Sequence, residues 1–202
     1  MMLARSLPTL WSVWGAVWVL AGAWLLRAGV AGWPRIPQAI RLAGGLLAVC
    51  IAWLAVAQAR VMGINFLLSV LVLVWVADIA AYFAGRAFGL KFTRSKLAPS
   101  ISPGKSWEGV IGAYCGVTVY GVVIANSPIG SQFGGYALLP AIWVLTGLSV
   151  VGDLLESLFK RQAGLKDSSN LLPGHGGILD RIDSQLAVLP VSAALLTLAH
   201  LF

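Results

Sequence analysis

The chain of 202 residues has 10% charged and 59% hydrophobic residues. A soluble domain carries roughly 25% charged residues, so this composition excludes an ordinary soluble protein. The net charge of +7 fits the basic loops of a membrane protein, and nucleic acid is not an expected partner.

Six apolar stretches are long enough to cross a hydrocarbon core of about 30 Å. They are continuous rather than alternating, which predicts helices, because a bilayer leaves no water to satisfy exposed backbone groups. The predicted fold is an all-α integral membrane protein, a polytopic bundle of about six transmembrane helices in a single domain of residues 1–202. The predicted spans are Leu10–Leu26, Leu42–Ala59, Ile64–Phe83, Trp107–Ala125, Tyr136–Leu155 and Leu186–Phe202.

Lys and Arg concentrate in the first, third and fifth loops between these spans. Basic residues favour cytoplasmic loops, so these loops are predicted to face the cytoplasm from the cell inner or plasma membrane. Both termini then lie outside, an arrangement that predicts either a chain without preceding spans or an internal start. The active-site loops, if the chain is an enzyme, face the cytoplasm.

All seven acidic residues lie at or beside the predicted cytoplasmic span ends or in a predicted cytoplasmic loop. Asp78 and Asp153 are embedded in apolar sequence, where a charge costs on the order of 2.5 to 3.5 kcal/mol at mid-helix. Asp78 is expected either to pair with Arg86 or to take part in a binding site. Asp153 begins a polar segment, residues 152–184, which is the strongest candidate for catalytic machinery.

On a helix, Asp153, Glu156 and Lys160 share one face because their spacing is i, i+3 and i+7. A Pro-Gly pair at residues 173–174 ends any helix there. Gly176 and Gly177 allow either a close backbone approach to a ligand or a positive φ. The segment is therefore predicted to be an ordered loop that surrounds a ligand.

Asp180 and Asp183 are predicted to project from one face in the first turn of the next helix. Such carboxylates suit Mg²⁺, although they also complement the helix dipole or pair with Arg181. Together with nearby cations they predict a site for a polyphosphate and a divalent metal, hence phosphoryl or nucleotidyl transfer. The cations are Lys160, Arg161, Lys166 and Arg181, and His175 is either structural or a group that binds phosphate or donates a proton.

A second polar loop, residues 85–109, precedes the fourth span. Its Pro-Gly turn stands at a helix entrance, where backbone N–H groups attract anions. The candidate substrate-binding residues here are Ser102, Lys105, Ser106 and Glu108. Ser106 is alternatively the N-cap of the next helix, and Lys105 alternatively sets membrane orientation.

These polar segments resemble a known family. The run SLFKRQAGLKDSSNLLPGHGGILDRIDS, residues 157–184, is similar to the defining motif of the CDP-diacylglycerol synthases, also called phosphatidate cytidylyltransferases. Two upstream blocks, DIAAYFAGRAFG at residues 78–89 and SPGKSWEG at residues 102–109, resemble further family motifs in the same order.

The resemblance implies that CTP and phosphatidic acid react to give CDP-diacylglycerol and pyrophosphate with Mg²⁺. It implies metal binding by Asp153, Asp180 and Asp183, and leaves a second cation open. Catalytic roles extend to Lys160, Arg161, Lys166, His175 and Arg181, and substrate binding to Ser102, Lys105, Ser106, Glu108, Asp78, Gly176 and Gly177. The expected partners are CTP, phosphatidic acid and the bilayer, with a homodimer left open.

Three alternatives accompany this prediction. A CTP-dependent kinase of polyprenols or other lipids would need the same ions and nucleotide but also a base to deprotonate its alcohol. A transporter would use the intramembrane acids as an ion path, yet no internal repeat is present. A non-catalytic scaffold is the third alternative, suggested by the expectation that N-terminal spans are missing relative to the family.

Overall fold

The computed structural model describes residues 8–169, 171 and 176–199. Of the candidate site residues, His175 lies outside these ranges. The described elements are α1 Pro8–Gly32, a 3₁₀ turn Trp33–Arg35, α2 Gln38–Met62, α3 Ile64–Phe88, β1 Lys96–Ala98, β2 Ser102–Ser106, α4 Trp107–Ala125, α5 Pro128–Gln132, a second 3₁₀ turn Gly135–Leu138, α6 Leu139–Gln162 and α7 Leu179–Ala199.

Five of the described segments are helical, long and apolar enough to cross a membrane: Thr9–Arg35, Gln38–Met62, Ile64–Phe88, Trp107–Ala125 and Gly135–Gln162. The chain is thus an all-α membrane protein, as predicted. The sixth predicted span falls in α7, which is not among these five, and its last three residues lie outside the described ranges.

Close helix packing depends on small residues, because they let backbones approach without steric conflict. The α3–α4 contact is the clearest case. A Cβ added to Gly112 would stand 2.1 Å from the Cβ of Ala84, and one added to Gly116 would stand 2.6 Å from the Cβ of Ala80. These glycines therefore fix the distance between α3 and α4.

The centre of the bundle is α7, which packs against α1, α2, α3 and α6. Ala187, Val188 and Ala193 are completely buried in it. The first turn of α7 also carries the acidic residues of the polar segment, so the most buried helix places them against its neighbours.

The polar loop of residues 85–109 contains more structure than the sequence predicted. An antiparallel hairpin of β1 and β2 pairs Lys96 with Ser106 and Ala98 with Ser102. Arg161, near the end of α6, reaches this hairpin and its Nε donates to the carbonyl of Ile101 at 3.4 Å. We use "polar end" for the end of the bundle that carries this hairpin and residues 152–184.

Candidate active site

A cavity of about 410 Å³ opens at the polar end between α3, the hairpin and α6. We call it the polar cavity. The polar side chains that line it come from all three elements and include Asp78, Tyr82, Arg86, Lys105, Ser106 and Asp153. Two blocks of sequence that each end more than 40 residues before the polar segment therefore meet it in one space.

The α3 wall of the polar cavity is built by helical spacing. Asp78, Tyr82 and Arg86 recur every four residues, which places them on one helix face. The Arg86 Nη1 donates to the Tyr82 hydroxyl at 2.8 Å. No ion pair joins Asp78 to Arg86 within the described residues, so the expected salt bridge is not seen. Tyr82 and Arg86 were missed as site residues, although their i+4 and i+8 spacing from Asp78 was readable.

Lys105 and Asp153 form an ion pair across the polar cavity. Their side chains stay 24% and 34% exposed, so solvent and ligands reach them. The Ser157 hydroxyl also approaches Asp153, donating to its Oδ1 at 3.5 Å. Two candidate residues from separate elements, a cation from β2 and an anion from α6, are thus brought together.

Asp183 enters this region from α7. Gly152 permits the approach, since a Cβ there would stand 3.0 Å from the Asp183 carbonyl oxygen. Burial, and then the negative charge of Asp153, raise the pKa of Asp183 to about 7. The backbone N–H of Ser184 donates to the Asp183 Oδ1 at 2.7 Å. The carboxylates of Asp183 and Asp153 therefore repel each other, as two like charges in one site do.

Asp180 has different surroundings, in a set of contacts that we call the Asp180 network. Its Oδ1 accepts from Lys160 Nζ at 2.7 Å, and its Oδ2 accepts from the backbone of Gly177 at 2.7 Å. Ser168 donates both its N–H and its hydroxyl to Oδ2 at 3.0 Å. Lys160 also pairs with Glu156 at 2.5 Å.

The negative charge of Asp180 is compensated by the donors of its network. Burial alone would raise the pKa of Asp180, but hydrogen bonds from Lys160, Gly177 and Ser168 outweigh it and hold that pKa far below its usual range. These contacts join α6, the loop and the first turn of α7. Glu156, which was not among the predicted site residues, belongs to the network through its i+4 spacing to Lys160.

Gly176 and Gly177 permit the conformation and the close packing of the loop. Gly176 has φ of 80°, a conformation in which a side chain is strained. A Cβ on Gly177 would stand 1.9 Å from the Ser168 hydroxyl oxygen. The positive φ expected of the Gly pair is present at Gly176. At Gly177 the backbone lies close to Ser168 of the protein itself.

Ser106 and Glu108 begin α4. The Ser106 hydroxyl accepts from the Gly109 N–H at 3.2 Å, which makes it the N-cap. The Glu108 Oε1 accepts from the N–H and the hydroxyl of Thr93 at 2.7 and 2.8 Å. Glu108 is only 4% exposed, so in this structure it holds the preceding loop. Ser106 both caps the helix and lines the polar cavity.

The predicted trio Asp153, Asp180 and Asp183 is divided by these contacts. Among the described side chains, no three His, Cys, Asp or Glu converge closely enough to form a metal centre by themselves. Asp153 and Asp183 repel each other beside the polar cavity, whereas Asp180 is held by its own network. Lys166 is exposed on the loop, and Ser102 lies at the start of β2.

Fold and site together define an all-α membrane protein with a cation- and carboxylate-lined cavity at the ends of its helices. The profile of the cytidylyltransferase family matches residues 1–199. The chain belongs to this family.

Similar proteins from several bacteria share one name, phosphatidate cytidylyltransferase. The phosphatidate cytidylyltransferase of Pseudomonas aeruginosa is 46% identical over 195 residues, which cover 90% of this chain and 69% of the relative. That of Haemophilus influenzae is 50% identical over 133 residues, covering 63% of this chain and 44% of the relative. That of Thermotoga maritima is 43% identical over 129 residues, covering 62% and 46%. The match thus spans about two thirds of the first relative and about half of the other two.

Proposed function

We propose that this chain transfers CMP from CTP to phosphatidic acid, producing CDP-diacylglycerol and pyrophosphate. The family membership and the printed names of the relatives support this reaction. The proposal places the polar end at the cytoplasmic face of the inner membrane, supported by the concentration of Lys and Arg in the loops of that end.

The observation that carries the proposal is the ion pair of Lys105 and Asp153 inside the polar cavity. The cavity opens at the ends of membrane-length helices, which is where a water-soluble nucleotide and a bilayer lipid can meet. Its cations suit phosphate groups, and its carboxylates suit a hard metal ion. A transport path would instead need polar groups distributed across the bilayer.

This reaction requires little covalent chemistry from the protein. An oxygen of the lipid phosphate forms a bond to the α-phosphorus of CTP, and the bond from that phosphorus to the bridging oxygen of pyrophosphate breaks. The nucleophile is already an anion, so no strong general base is required. Lys105 and Arg86 are placed to bind and orient phosphate oxygens, which is how nucleotidyl transfer is mostly accelerated.

The carboxylates beside the cavity fit Mg²⁺. This ion prefers oxygen ligands and is commonly held by one or two carboxylates, with phosphates and waters completing its shell. The negative charge of Asp153 contributes to the raised pKa of Asp183, and a divalent cation would relieve this repulsion. We therefore assign the ion to these two residues. When bound, Mg²⁺ neutralises charge on the phosphates.

The Asp180 network positions this site. It fixes the last turns of α6 to the loop and to α7, the helix that carries Asp183. Lys160 is compensated by Glu156 and Asp180, so it contacts a phosphate only if the network opens on substrate binding. The family-based metal role of Asp180 is a competing prediction, which the variants described below separate.

Product analysis tests the function directly. The purified full-length chain in liposomes is supplied with Mg²⁺, phosphatidic acid and CTP carrying separate labels on cytidine and the γ-phosphate. We expect cytidine on the lipid and the γ-label in pyrophosphate. Diacylglycerol in place of phosphatidic acid is the matched control and should give no turnover. Release of CDP with the γ-label on a lipid alcohol would instead identify a kinase and contradict the proposal.

A further inference from the structure

A second and larger cavity lies on another side of α6. It is an apolar groove of about 900 Å³ between α1, α2 and α6. We call it the Arg41 groove and define it by Trp18, Trp33, Arg41, Gly44, Gly45 and Phe159. None of these residues lines the polar cavity, so the two spaces are separate.

The wall formed by α2 contains two adjacent glycines that no protein contact explains. Gly44 and Gly45 lie inside a 25-residue helix, where glycine is less favourable than alanine. A Cβ on either would meet no atom of the described residues within 4 Å. Gly112 and Gly116, by contrast, are required by close packing of α3 against α4. The missing side chains at 44 and 45 leave open space in the groove.

One end of the groove carries a cation. The Arg41 guanidinium lies 5.7 Å from the centre of the Trp33 ring, and Trp33 packs on Phe159 with ring centres 4.5 Å apart. The ion pairs of the described residues involve Lys105 and Lys160, and none involves Arg41. The buried Nε of Arg41 also has no hydrogen-bond partner among them. Arg41 therefore lies over the Trp33 ring, which packs on Phe159, and no described residue forms an ion pair with its charge beside this apolar wall.

A ligand that matches this groove has a long apolar part and an anionic end. Acyl chains fill apolar space between helices, and a phosphate compensates a guanidinium at the membrane interface. We propose that the Arg41 groove binds an anionic phospholipid of the bilayer, with an acyl chain along Gly44 and Gly45 and the phosphate at Arg41. This site is distinct from the polar cavity and does not depend on the transferase activity.

Charge recognition is tested by native mass spectrometry of the full-length chain in detergent. The probes are phosphatidylglycerol and phosphatidylcholine with identical acyl chains, titrated into wild type, Arg41→Gln and Arg60→Gln. Arg60→Gln is the matched control because it removes the same charge from the exposed far end of α2. We expect Arg41→Gln to weaken phosphatidylglycerol binding roughly tenfold, the scale of one charge-assisted hydrogen bond, while Arg60→Gln matches wild type. Equal loss in both variants, or equal binding of the two lipids by wild type, overturns the proposal.

Chain binding is tested by filling the groove. Gly45→Leu directs a side chain into the groove from a position where a Cβ meets no described atom within 4 Å, and Ala57→Leu introduces the same side chain at an exposed position of the same helix. We expect Gly45→Leu to remove bound phospholipid and Ala57→Leu to retain it. If wild type appears as a dimer without lipid and Gly45→Leu as a monomer, a second copy of the chain occupies the groove and the lipid proposal is wrong.

Discussion

The polar cavity and the Asp180 network lie at the same end of the molecule, yet they differ in how their charges are compensated. In the polar cavity Asp153 has one cationic partner, Lys105, and both side chains stay partly exposed. In the network Asp180 accepts from Lys160, Ser168 and Gly177. The charged groups of the polar cavity can therefore still contact a ligand, whereas the carboxylate of Asp180 is already occupied by contacts within the protein. Under the proposed function, Lys105 and Asp153 meet the substrate, whereas Asp180 positions the elements that carry the site.

Asp153→Asn should produce the largest effect. The change removes the charge that faces Lys105 and the proposed cation without altering side-chain volume. We expect pyrophosphate release to fall roughly 100- to 1,000-fold, the range seen when one preorganised electrostatic group is removed. The melting temperature should change little because the residue is partly exposed. Activity within a fewfold of wild type would exclude Asp153 from the site.

Binding of Mg²⁺ should be visible without turnover. An ion at about 100 times its dissociation constant stabilises the folded state by about 2.7 kcal/mol, a rise in melting temperature of roughly 5 to 10 °C at this chain length. We expect that rise in wild type and not in Asp153→Asn, measured by thermal unfolding in detergent. Ca²⁺ and Na⁺ serve as comparison ions. An equal rise in both proteins would place the ion elsewhere.

Asp180→Asn should lower activity by disturbing the positions of α6, the loop and α7 at the site. Loss of the charge weakens the contacts to Lys160, Ser168 and Gly177, and positioning partners of this kind typically contribute 10- to 100-fold to activity. We expect an activity loss in that range together with faster trypsin cleavage after Lys166, whereas Asp153→Asn should cleave like wild type. A loss as large as that of Asp153→Asn with unchanged cleavage would favour the metal role that the family resemblance implies for Asp180.

The contacts of the Asp180 network should also persist at mildly acidic pH. The pKa of Asp180 is depressed in the folded state, so its contribution to stability is complete above its ordinary unfolded value of about 3.9. That contribution is lost only as pH falls through the lower, folded value. We therefore expect the resistance to cleavage after Lys166, probed with an acid-tolerant protease of matching specificity, not to fall from pH 7 to about pH 5. Asp183, whose pKa is raised to about 7, becomes protonated in this window, which relieves its repulsion from Asp153 and does not weaken the fold. Loss of resistance within that window would contradict the described contacts.

Ser106→Ala should have the smallest effect. It removes the N-cap of α4, which costs about 1 kcal/mol, and it changes one wall of the polar cavity. Ser127→Ala is the matched control, since Ser127 caps α5 in the same way by accepting from Gly130 at 3.3 Å. We expect both variants to lower the melting temperature slightly and only Ser106→Ala to reduce activity, by a fewfold. Equal activities would make Ser106 a cap alone.

The sequence by itself determined the membrane-spanning helices and the polar segments. Long apolar runs specify helices because a bilayer satisfies no exposed backbone group, and the ordered motifs identified the family that the profile match confirms. The helical spacing of Asp153, Glu156 and Lys160 also predicted their common helix, and α6 continues to Gln162, past the predicted end of the fifth span at Leu155.

Only the tertiary structure decided which polar residues share a space. Nothing in residues 100–109 indicates that Lys105 meets Asp153 rather than the equally acidic Asp180, because that choice depends on how the hairpin and α6 are packed. The same holds for Glu108, whose role is set by the fold of the preceding loop around Thr93. Helix formation is governed by local sequence and by the bilayer, whereas the pairing of charges depends on contacts between residues distant in the chain.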